Sequence, residues 1–186
     1  MSNSIAQVSE SQNLRTYENP DIQLRFSYPA DWGNIILNGS EDCHQSSCVF
    51  GLDGSNTTYR FGFSISTLSK DVCNCTSLLD VVRDGYTYFS YIYDNSFLNG
   101  NQTTIGKNYS GWQYEYSFLD QGEKVTGLSV FATNNATYYV IGVSYPEESR
   151  AKLIPDFKRL IESIEFLPVQ NEGTKTPSFV NAVNSN

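Results

Sequence analysis

The residues whose types and spacing could carry chemistry are the four cysteines and the single histidine. Cys43, His44 and Cys48 lie in one segment, and Cys73 and Cys75 lie in a second; both are rich in Ser, Asn and Asp. Thiolates and an imidazole this close together could bind Zn²⁺ or Cu⁺, because soft ligands select these metals and a Cys-x-Cys pair brings two thiols to one ion. A metal-handling protein with these side chains as ligands is therefore one hypothesis.

Disulfide bonds are the competing interpretation of the same cysteines, and the sequence favours it. An even number of cysteines in loop-like segments is typical of a protein that folds in an oxidising compartment. A bridge between Cys43 and Cys48 would close a small loop without strain, whereas a bridge between Cys73 and Cys75 would be strained, so pairing between the two segments is equally acceptable. The sequence predicts that all four cysteines are oxidised and leaves their connectivity open.

Catalysis has little support in the residue pattern. His44 is adjacent to Cys43, which splays the two side chains apart, so a Cys–His nucleophile would need a partner from another segment. The sequence contains no Gly-x-Ser-x-Gly elbow, no phosphate-binding glycine loop and no His-Glu-x-x-His pair. We therefore expect a protein that is not an enzyme and carries no cofactor, and a hydrolase is only a third hypothesis.

Glycosylation motifs indicate the same compartment as the cysteines. The pattern Asn-x-Ser/Thr, with x not proline, occurs about twice as often as the roughly three copies expected by chance. An acceptor asparagine of this kind belongs on the surface of an exported protein. The predicted glycosylation sites are Asn38, Asn56, Asn74, Asn101, Asn108 and Asn135. With the cysteines, they predict an extracytoplasmic protein, either secreted or held at the cell surface.

Charge and hydropathy narrow the range of partners. The 186 residues include 12 Lys or Arg and 20 Asp or Glu, and the resulting net charge of −8 opposes binding to nucleic acid and to anionic lipid. No run approaches the ~18–20 apolar residues of a membrane-spanning helix. Ser4-Ile5-Ala6 has the small-x-small form found around a signal-peptidase site, so we expect that an export signal or anchor was removed. The expected molecule is a monomer, peripheral to a membrane at most, with a protein or cell-surface partner.

A run of aromatic residues forms a second candidate site. It holds more aromatic surface than one helix face can bury, so part of it is expected to form an interface, for which tyrosine is well suited. The alternative is that these rings cover a wide sheet as ordinary core. The candidate interface residues are Tyr86, Tyr88, Tyr91, Tyr93 and Phe97.

Two periodicities predict the elements that position these residues. Alternation of apolar and polar residues predicts strands over 22–28, 59–67, 112–118, 125–133 and 138–145, with an edge strand over 164–167. Apolar residues that recur every three or four positions predict helices over 78–89 and 154–164. Pro155 is expected in the first turn of the second helix, where its missing N–H is tolerated, and Trp32 and Trp112 are expected in the core. The order of elements predicts an α+β domain with an antiparallel β-sheet flanked by helices.

Both ends of the folded part resemble PsbP-like proteins. The start Tyr17-Glu18-Asn19-Pro20 and the aromatic strand that ends in Tyr28-Pro29-Ala30-Asp31-Trp32 are similar to the opening of that family. The last predicted helix, through Phe157 and Ile161 to Phe166, is similar to its close. These motifs are specific for fold and nearly silent about chemistry.

The resemblance implies an α/β/α sandwich of the PsbP/Mog superfamily over residues 16–168. The polar and aperiodic ends, 1–15 and 169–186, are predicted to be flexible segments. It also implies kinship with the secreted PsbP-like proteins common in archaea. The plant relatives are extrinsic subunits that dock on a membrane complex, and the cysteine segments are additions to the family pattern. The functional hypothesis is a non-catalytic, extracytoplasmic accessory domain that docks on a membrane complex or a cell-surface layer.

The oxidation state of the cysteines separates the disulfide hypothesis from the metal hypothesis. Thiol titration of the unfolded, unreduced protein should find no free sulfhydryl, and reduction should lower the free energy of unfolding by ~2–4 kcal/mol for each bridge. Four free thiols, or stoichiometric Zn or Cu in the purified protein, would contradict the disulfide prediction and favour metal handling.

Overall fold

The structure, a computed structural model, describes residues 13–33, 35–37, 50–52, 60–70, 75–93, 96–134 and 137–168. Its helices are α1 (Leu78–Tyr93) and α2 (Arg150–Glu162). Its strands are β1 (Leu14–Asn19), β2 (Leu24–Pro29), β3 (Ile35–Leu37), β4 (Phe50–Leu52), β5 (Gly62–Ser69), β6 (Ser96–Ile105), β7 (Tyr109–Asp120), β8 (Glu123–Thr133), β9 (Thr137–Pro146) and β10 (Glu165–Phe166). Across these ranges, neither helix is long and apolar enough to cross a membrane.

The strands form two antiparallel sheets. The larger sheet has seven strands in the order β3-β4-β5-β9-β8-β7-β6, and the smaller has three in the order β1-β2-β10. Strands β6 to β9 form a meander, in which the turn between β7 and β8 has Gln121 and Gly122 at φ values of 50° and 85°. Positive φ at both central residues is the geometry of a tight turn whose twist matches the strands that it joins. The α+β class predicted from the sequence is confirmed.

Helix α2 and the smaller sheet cover one face of the larger sheet. Leu153, Phe157 and Leu160 of α2 are at most 1% exposed and belong to the main apolar cluster. Trp32 belongs to the same cluster and is fully buried, as predicted. The cluster also takes the apolar side chains of one face of β9, which are Tyr139, Ile141, Val143 and Tyr145.

The hydroxyl of Tyr139 is buried with two hydrogen-bond partners. It donates to the carbonyl oxygen of Ile22 at 2.8 Å and accepts from Asn134 Nδ2, also at 2.8 Å. Burial raises the pKa of Tyr139 to about 12, against the smaller lowering effect of its side-chain hydrogen bonds. The bond to Ile22 joins the turn before β2 to β9, so the two sheets are connected by polar contacts as well as by packing.

Helix α1 covers the opposite face of the larger sheet. Val81 and Val82 pack with Tyr114, Phe131 and Tyr138 in a second apolar cluster. A Cβ at Gly85 would lie 3.0 Å from Phe131 Cε1 and 3.2 Å from the Tyr114 hydroxyl, so glycine at this helical position permits the close approach of α1 to the sheet. Helices therefore lie on both faces of the seven-stranded sheet, as the resemblance implied.

One expectation about α2 is wrong. The helix begins at Arg150, directly after a 3₁₀ turn over Glu147–Ser149, so Pro155 lies inside it and not in its first turn. Proline has no N–H to donate to the carbonyl of Ala151 four residues earlier. Ala151 and Pro155 are both exposed, which lets water hydrogen-bond to that carbonyl.

The strands with clear alternation were predictable, and the short or mostly polar strands were not. The strands β2, β5, β7, β8 and β9 fall within a few residues of the predicted ones, and β10 is the expected edge strand, paired with β2. Strands β1, β3, β4 and β6 carry no alternation of apolar and polar residues, because they are mostly polar or only three residues long. Trp112 is only partly buried, at the margin of the cluster under α1.

Truncation of a core side chain on α2 should have a large cost. Phe157 is 1% exposed, so we expect Phe157→Ala to lower the free energy of unfolding by about 3–5 kcal/mol through lost burial and a cavity. The adjacent and exposed Lys158 offers a matched control. Lys158→Ala should change the free energy of unfolding, measured by urea denaturation, by less than about 0.5 kcal/mol. Equal effects of the two substitutions would contradict the assignment of this face of α2 to the core.

Candidate functional site

The cysteine site is only partly described by the structure. Cys43, His44, Cys48 and Cys73 lie outside the described residues, so neither their pairing nor a metal site among them is tested. Cys75 is disulfide-bonded and lies three residues before α1, where its backbone carbonyl accepts a 3.5 Å hydrogen bond from the Tyr138 hydroxyl. A cysteine in a disulfide has no thiolate to offer a metal. No group of three or more His, Cys, Asp or Glu side chains suited to a metal occurs within the described ranges.

A capping box fixes the start of α1 immediately after Cys75. Asp80 Oδ2 accepts hydrogen bonds from the backbone N–H and the hydroxyl of both Thr76 and Ser77, at 2.8–3.0 Å. The Ser77 hydroxyl in turn accepts from the Asp80 N–H at 3.3 Å. These reciprocal bonds satisfy N–H groups that a helix start would otherwise leave without partners. The orientation of α1 is thus set by the residues that follow the disulfide.

Two of the predicted glycosylation sites fall within the described part of the chain. Asn101 lies on β6 and Asn108 lies in the turn between β6 and β7, and both are exposed. Asn101 Oδ1 accepts a 3.1 Å hydrogen bond from Gln113 Nε2 on the neighbouring strand. Exposure makes both asparagines accessible to a modifying enzyme. The remaining sites, Asn38, Asn56, Asn74 and Asn135, lie outside the described residues.

The outer surface of α1 carries large apolar side chains. Leu79 is 61% exposed and Tyr86 is 47% exposed. They are seven residues apart, so they lie on the same stripe of the helix, and the exposed Arg83 lies between them. We call Leu79, Arg83 and Tyr86 the outer α1 stripe. Tyr88, Tyr91 and Tyr93 lie on the same helix and Phe97 lies on β6, but the exposure predicted for these four falls outside what the structure describes.

A depression lined by small residues lies on the sheet face that α1 partly covers. Antiparallel pairing aligns residues from β5, β9, β8 and β7 into rows that run across the strands. One row consists of Gly62, Ser144, Gly127 and Tyr116. The next row consists of Ser64, Gly142, Ser129 and Tyr114. The cavity above these rows has a volume of about 240 Å³, and we call it the Ser/Gly trough.

The floor of the Ser/Gly trough is made of serine hydroxyls separated by glycines. A Cβ on Gly142 would lie 3.3 Å from Ser129 Oγ and 3.6 Å from Ser64 Oγ, so the two hydroxyls flank this glycine. Similarly, a Cβ on Gly62 would lie 2.6 Å from Ser144 Oγ. None of these three hydroxyls has a hydrogen-bond partner among the described residues, although Ser129 is only 2% exposed. The floor therefore presents polar groups that can both donate and accept.

One side of the Ser/Gly trough is an aromatic wall. The rings of Tyr116 and Phe118 on β7 stack with centroids 6.1 Å apart and an interplanar angle of 22°. A Cβ on Gly127 would meet the ring of Tyr116, so the absence of a side chain at this position lets the ring lie down over the sheet. The wall and the floor together give the depression one apolar side and one hydroxyl-lined side.

A charged rim closes one end of the Ser/Gly trough. A second cavity of about 320 Å³ shares Gly62 and Ser144 with it and is also lined by Arg60 and Glu123. Arg60 donates to both carboxylate oxygens of Glu123, at 2.7 and 2.9 Å, and lies 3.6 Å from Glu148. These acidic partners raise the pKa of Arg60, the hydrogen bond to Glu123 contributing most. The guanidinium is thus already neutralised by acidic neighbours.

The sequence analysis missed the Ser/Gly trough because its residues come from four different strands. The signal was present as small residues at alternate positions, Gly62-x-Ser64 in β5 and Gly142-x-Ser144 in β9, with Ser129 in β8. Alternation predicts which residues share a face of one strand, but it does not give the register between strands. Only the pairing in the sheet brings these small residues into adjacent positions.

Comparison with solved structures identifies the architecture as the PsbP-like fold. Cyanobacterial PsbP (CyanoP) from Synechocystis sp. PCC 6803 matches with a TM-score of 0.60 at 16% identity, over 88% of this chain and 98% of that one. LpqN of Mycobacterium tuberculosis, described as involved in cell envelope biogenesis, matches with a TM-score of 0.52 at 13% identity, over 87% and 88% of the two chains. PA94 of Pseudomonas aeruginosa, described as a protein of unknown function and putative regulator, matches with a TM-score of 0.53 at 14% identity. The match covers 85% of this chain and 99% of that one. No family model and no curated protein sequence matches the chain.

The capping carboxylate of α1 should give the protein a pH-dependent stability. Hydrogen bonds from Thr76 and then Ser77 lower the pKa of Asp80 from its ordinary value. A carboxylate with a lowered folded-state pKa stabilises the fold at pH values above its unfolded pKa, and this contribution is lost as the pH falls through the folded pKa. Asp80→Asn should therefore lower Tm at pH 7, and the difference from wild type should shrink below about pH 4.

The matched control for this measurement is Asp84→Asn, which removes an exposed carboxylate one turn later on the same helix. This carboxylate makes no capping bond in the described structure, so its substitution should change Tm less at pH 7. A difference between Asp80→Asn and wild type that stays constant from pH 7 to about pH 3 would contradict the capping role of the charged carboxylate.

Proposed function

We propose that this chain is a non-catalytic, extracytoplasmic binding domain that docks on a protein of a membrane complex or of a cell-surface layer. Docking uses the outer α1 stripe together with the cysteine-containing segment that precedes α1. The observation that carries the proposal is the pair of large apolar side chains, Leu79 and Tyr86, exposed on one stripe of a helix whose opposite face is packed. The predicted aromatic segment continues from Tyr86 along the same helix.

The energetics of such a contact agree with the composition. An interface gains most from the burial of a few aromatic or aliphatic side chains at its centre. With only 17% charged residues and a net charge of −8, this protein gains little from long-range attraction, because screening acts over ~8 Å at physiological salt. Arg83 lies between Leu79 and Tyr86 but is already paired with Asp80 at 3.3 Å and Asp84 at 3.6 Å, so the contact depends on the apolar side chains.

The solved structures support an accessory role outside the cytoplasm. One neighbour is the cyanobacterial PsbP, and another is described as involved in cell envelope biogenesis. The predicted glycosylation sites and the disulfide at Cys75 agree with an oxidising compartment. The proposal therefore rests on two kinds of support. One is the PsbP-like fold, which the solved structures share at low sequence identity. The other is the set of glycosylation motifs and the disulfide in this chain, which indicate an oxidising compartment.

Burial makes the core tyrosines still weaker acids than an ordinary tyrosine. Burial raises the pKa of Tyr145 to about 12 and raises that of Tyr114 as well. Both shifts move the hydroxyls away from the neutral range in which a general acid or base works best. Cys75, bonded in a disulfide, is not a free nucleophile.

Photocrosslinking tests the docking surface directly. The full chain would carry p-benzoylphenylalanine in place of Leu79, or in place of Leu119, a control leucine that is 73% exposed at the end of β7. Incubation with the cell-envelope fraction of the source organism and irradiation should give a discrete protein adduct from position 79 and none of that mass from position 119. Identical adducts from both positions, or none from either, would contradict the proposal.

A competition experiment separates binding from folding. Unlabelled Leu79→Ser/Tyr86→Ser protein should fail to compete for the adduct, whereas wild type and Leu119→Ser should compete. Because Leu79 and Tyr86 are exposed, the double variant should keep its free energy of unfolding within about 1 kcal/mol of wild type. A large loss of stability would show that these side chains are core and would overturn the assignment of the surface.

A further inference from the structure

The Ser/Gly trough contains hydroxyls that the fold itself does not use. Ser129 is 2% exposed and lines the cavity, and no described residue accepts or donates a hydrogen bond to its Oγ. Ser64 and Ser144 line the same cavity and have no hydrogen-bond partner within the described ranges. Because these hydroxyls face the cavity, water or a ligand can supply the hydrogen bonds that the described residues do not. The floor of the trough is therefore suited to a molecule that brings its own hydrogen-bonding groups.

The charges around the Ser/Gly trough disfavour an ionic ligand. The two rows that form the floor contain only glycine, serine and tyrosine. Arg60 at the rim is held by Glu123 and Glu148, so it offers no free positive charge to an anion. The net charge of −8 further disfavours anions, and a cation would find no carboxylate on the floor. The ligand that fits is neutral.

The position of the Ser/Gly trough excludes an extended peptide that would bind as an added strand. It lies on β5, β9 and β8, which are interior strands of the sheet. Their backbone N–H and C=O groups are paired in the ladders on both sides, so a peptide cannot add there as a further strand. A ligand in the trough can therefore be recognised by the serine hydroxyls of the floor and by the aromatic rings of the wall.

We propose that the Ser/Gly trough binds a neutral saccharide. The ring hydroxyls of a sugar both donate and accept, which matches Ser64, Ser129 and Ser144. The apolar C–H face of a sugar ring can pack on the partly exposed ring of Phe118, which Tyr116, only 7% exposed, supports from behind. The second cavity of about 320 Å³ lies beside the trough and shares Gly62 and Ser144 with it. This site is separate from the outer α1 stripe, and its test does not depend on docking through that stripe.

Titration of the ¹⁵N-labelled full chain with neutral oligosaccharides tests this proposal. The probes are maltotriose, cellotriose, mannotriose and N,N′,N″-triacetylchitotriose. At least one should shift the backbone amide signals of Gly62, Gly127 and Gly142 saturably, with a Kd of about 1 mM or below. The Leu79→Ser/Tyr86→Ser variant should bind the same sugar as wild type does, which keeps this test distinct from that of the docking surface.

Removal of the floor hydroxyls should weaken binding without affecting the fold. Ser64→Ala/Ser129→Ala should raise Kd about tenfold or more, since two hydrogen bonds are lost. The control Ser117→Ala, on the other face of β7, should leave Kd unchanged. The unperturbed amide spectrum of each variant shows whether it has folded.

Three outcomes would overturn the saccharide assignment. The first is that none of the four sugars shifts the trough glycines. The second is that trigalacturonic acid, a charged sugar, binds as tightly as the neutral ones. The third is that the double alanine variant binds like wild type.

Discussion

The central strand β9 is covered on both faces, and the arrangement of layers depends on this burial. Tyr139, Ile141 and Val143 point to the face covered by α2 and the smaller sheet, where they are at most 2% exposed. Val140 and Gly142 point to the face of α1. A strand with neighbours on both sides can be buried only by layers above and below it, so a helix on each face is required.

The two faces are filled by different means. Towards α2, large apolar side chains interdigitate, and the polar Tyr139 hydroxyl is satisfied by two hydrogen bonds. Towards α1, Gly85 lets the helix approach Phe131 at one end of the sheet, whereas glycine and serine leave a cavity at the other end. Close packing at one end and a cavity at the other are consistent with a structural core beside a binding site, since interiors otherwise leave few voids larger than water.

The sequence predicted the interior of this fold better than its edges and its sites. Strands β5, β8 and β9 are half or fully buried, so burial imposes an alternation that can be read from one segment alone. Over the described part of edge strand β6, residues 100–102 and 104 are exposed, and this exposure leaves no strict alternation of apolar and polar residues there. Tyr86, which is 47% exposed, was one of the candidate interface residues, with ordinary core as the alternative; Leu79 was not a candidate, because it follows the same apolar spacing as the buried Val82. The Ser/Gly trough depends on the register between strands, which no single segment specifies.

The transverse rows of the sheet also constrain how the protein can change over evolution. Gly62 contacts Ser144 from a neighbouring strand, and Gly127 lies under the ring of Tyr116, so the residues of a row share one fixed volume although they are distant in sequence. An enlarged side chain at one position can be accepted only if its cross-strand neighbour becomes smaller. Among descendants of this chain, the side-chain volumes at these paired positions should therefore vary inversely, and the shape of the cavity would diverge by compensated exchanges.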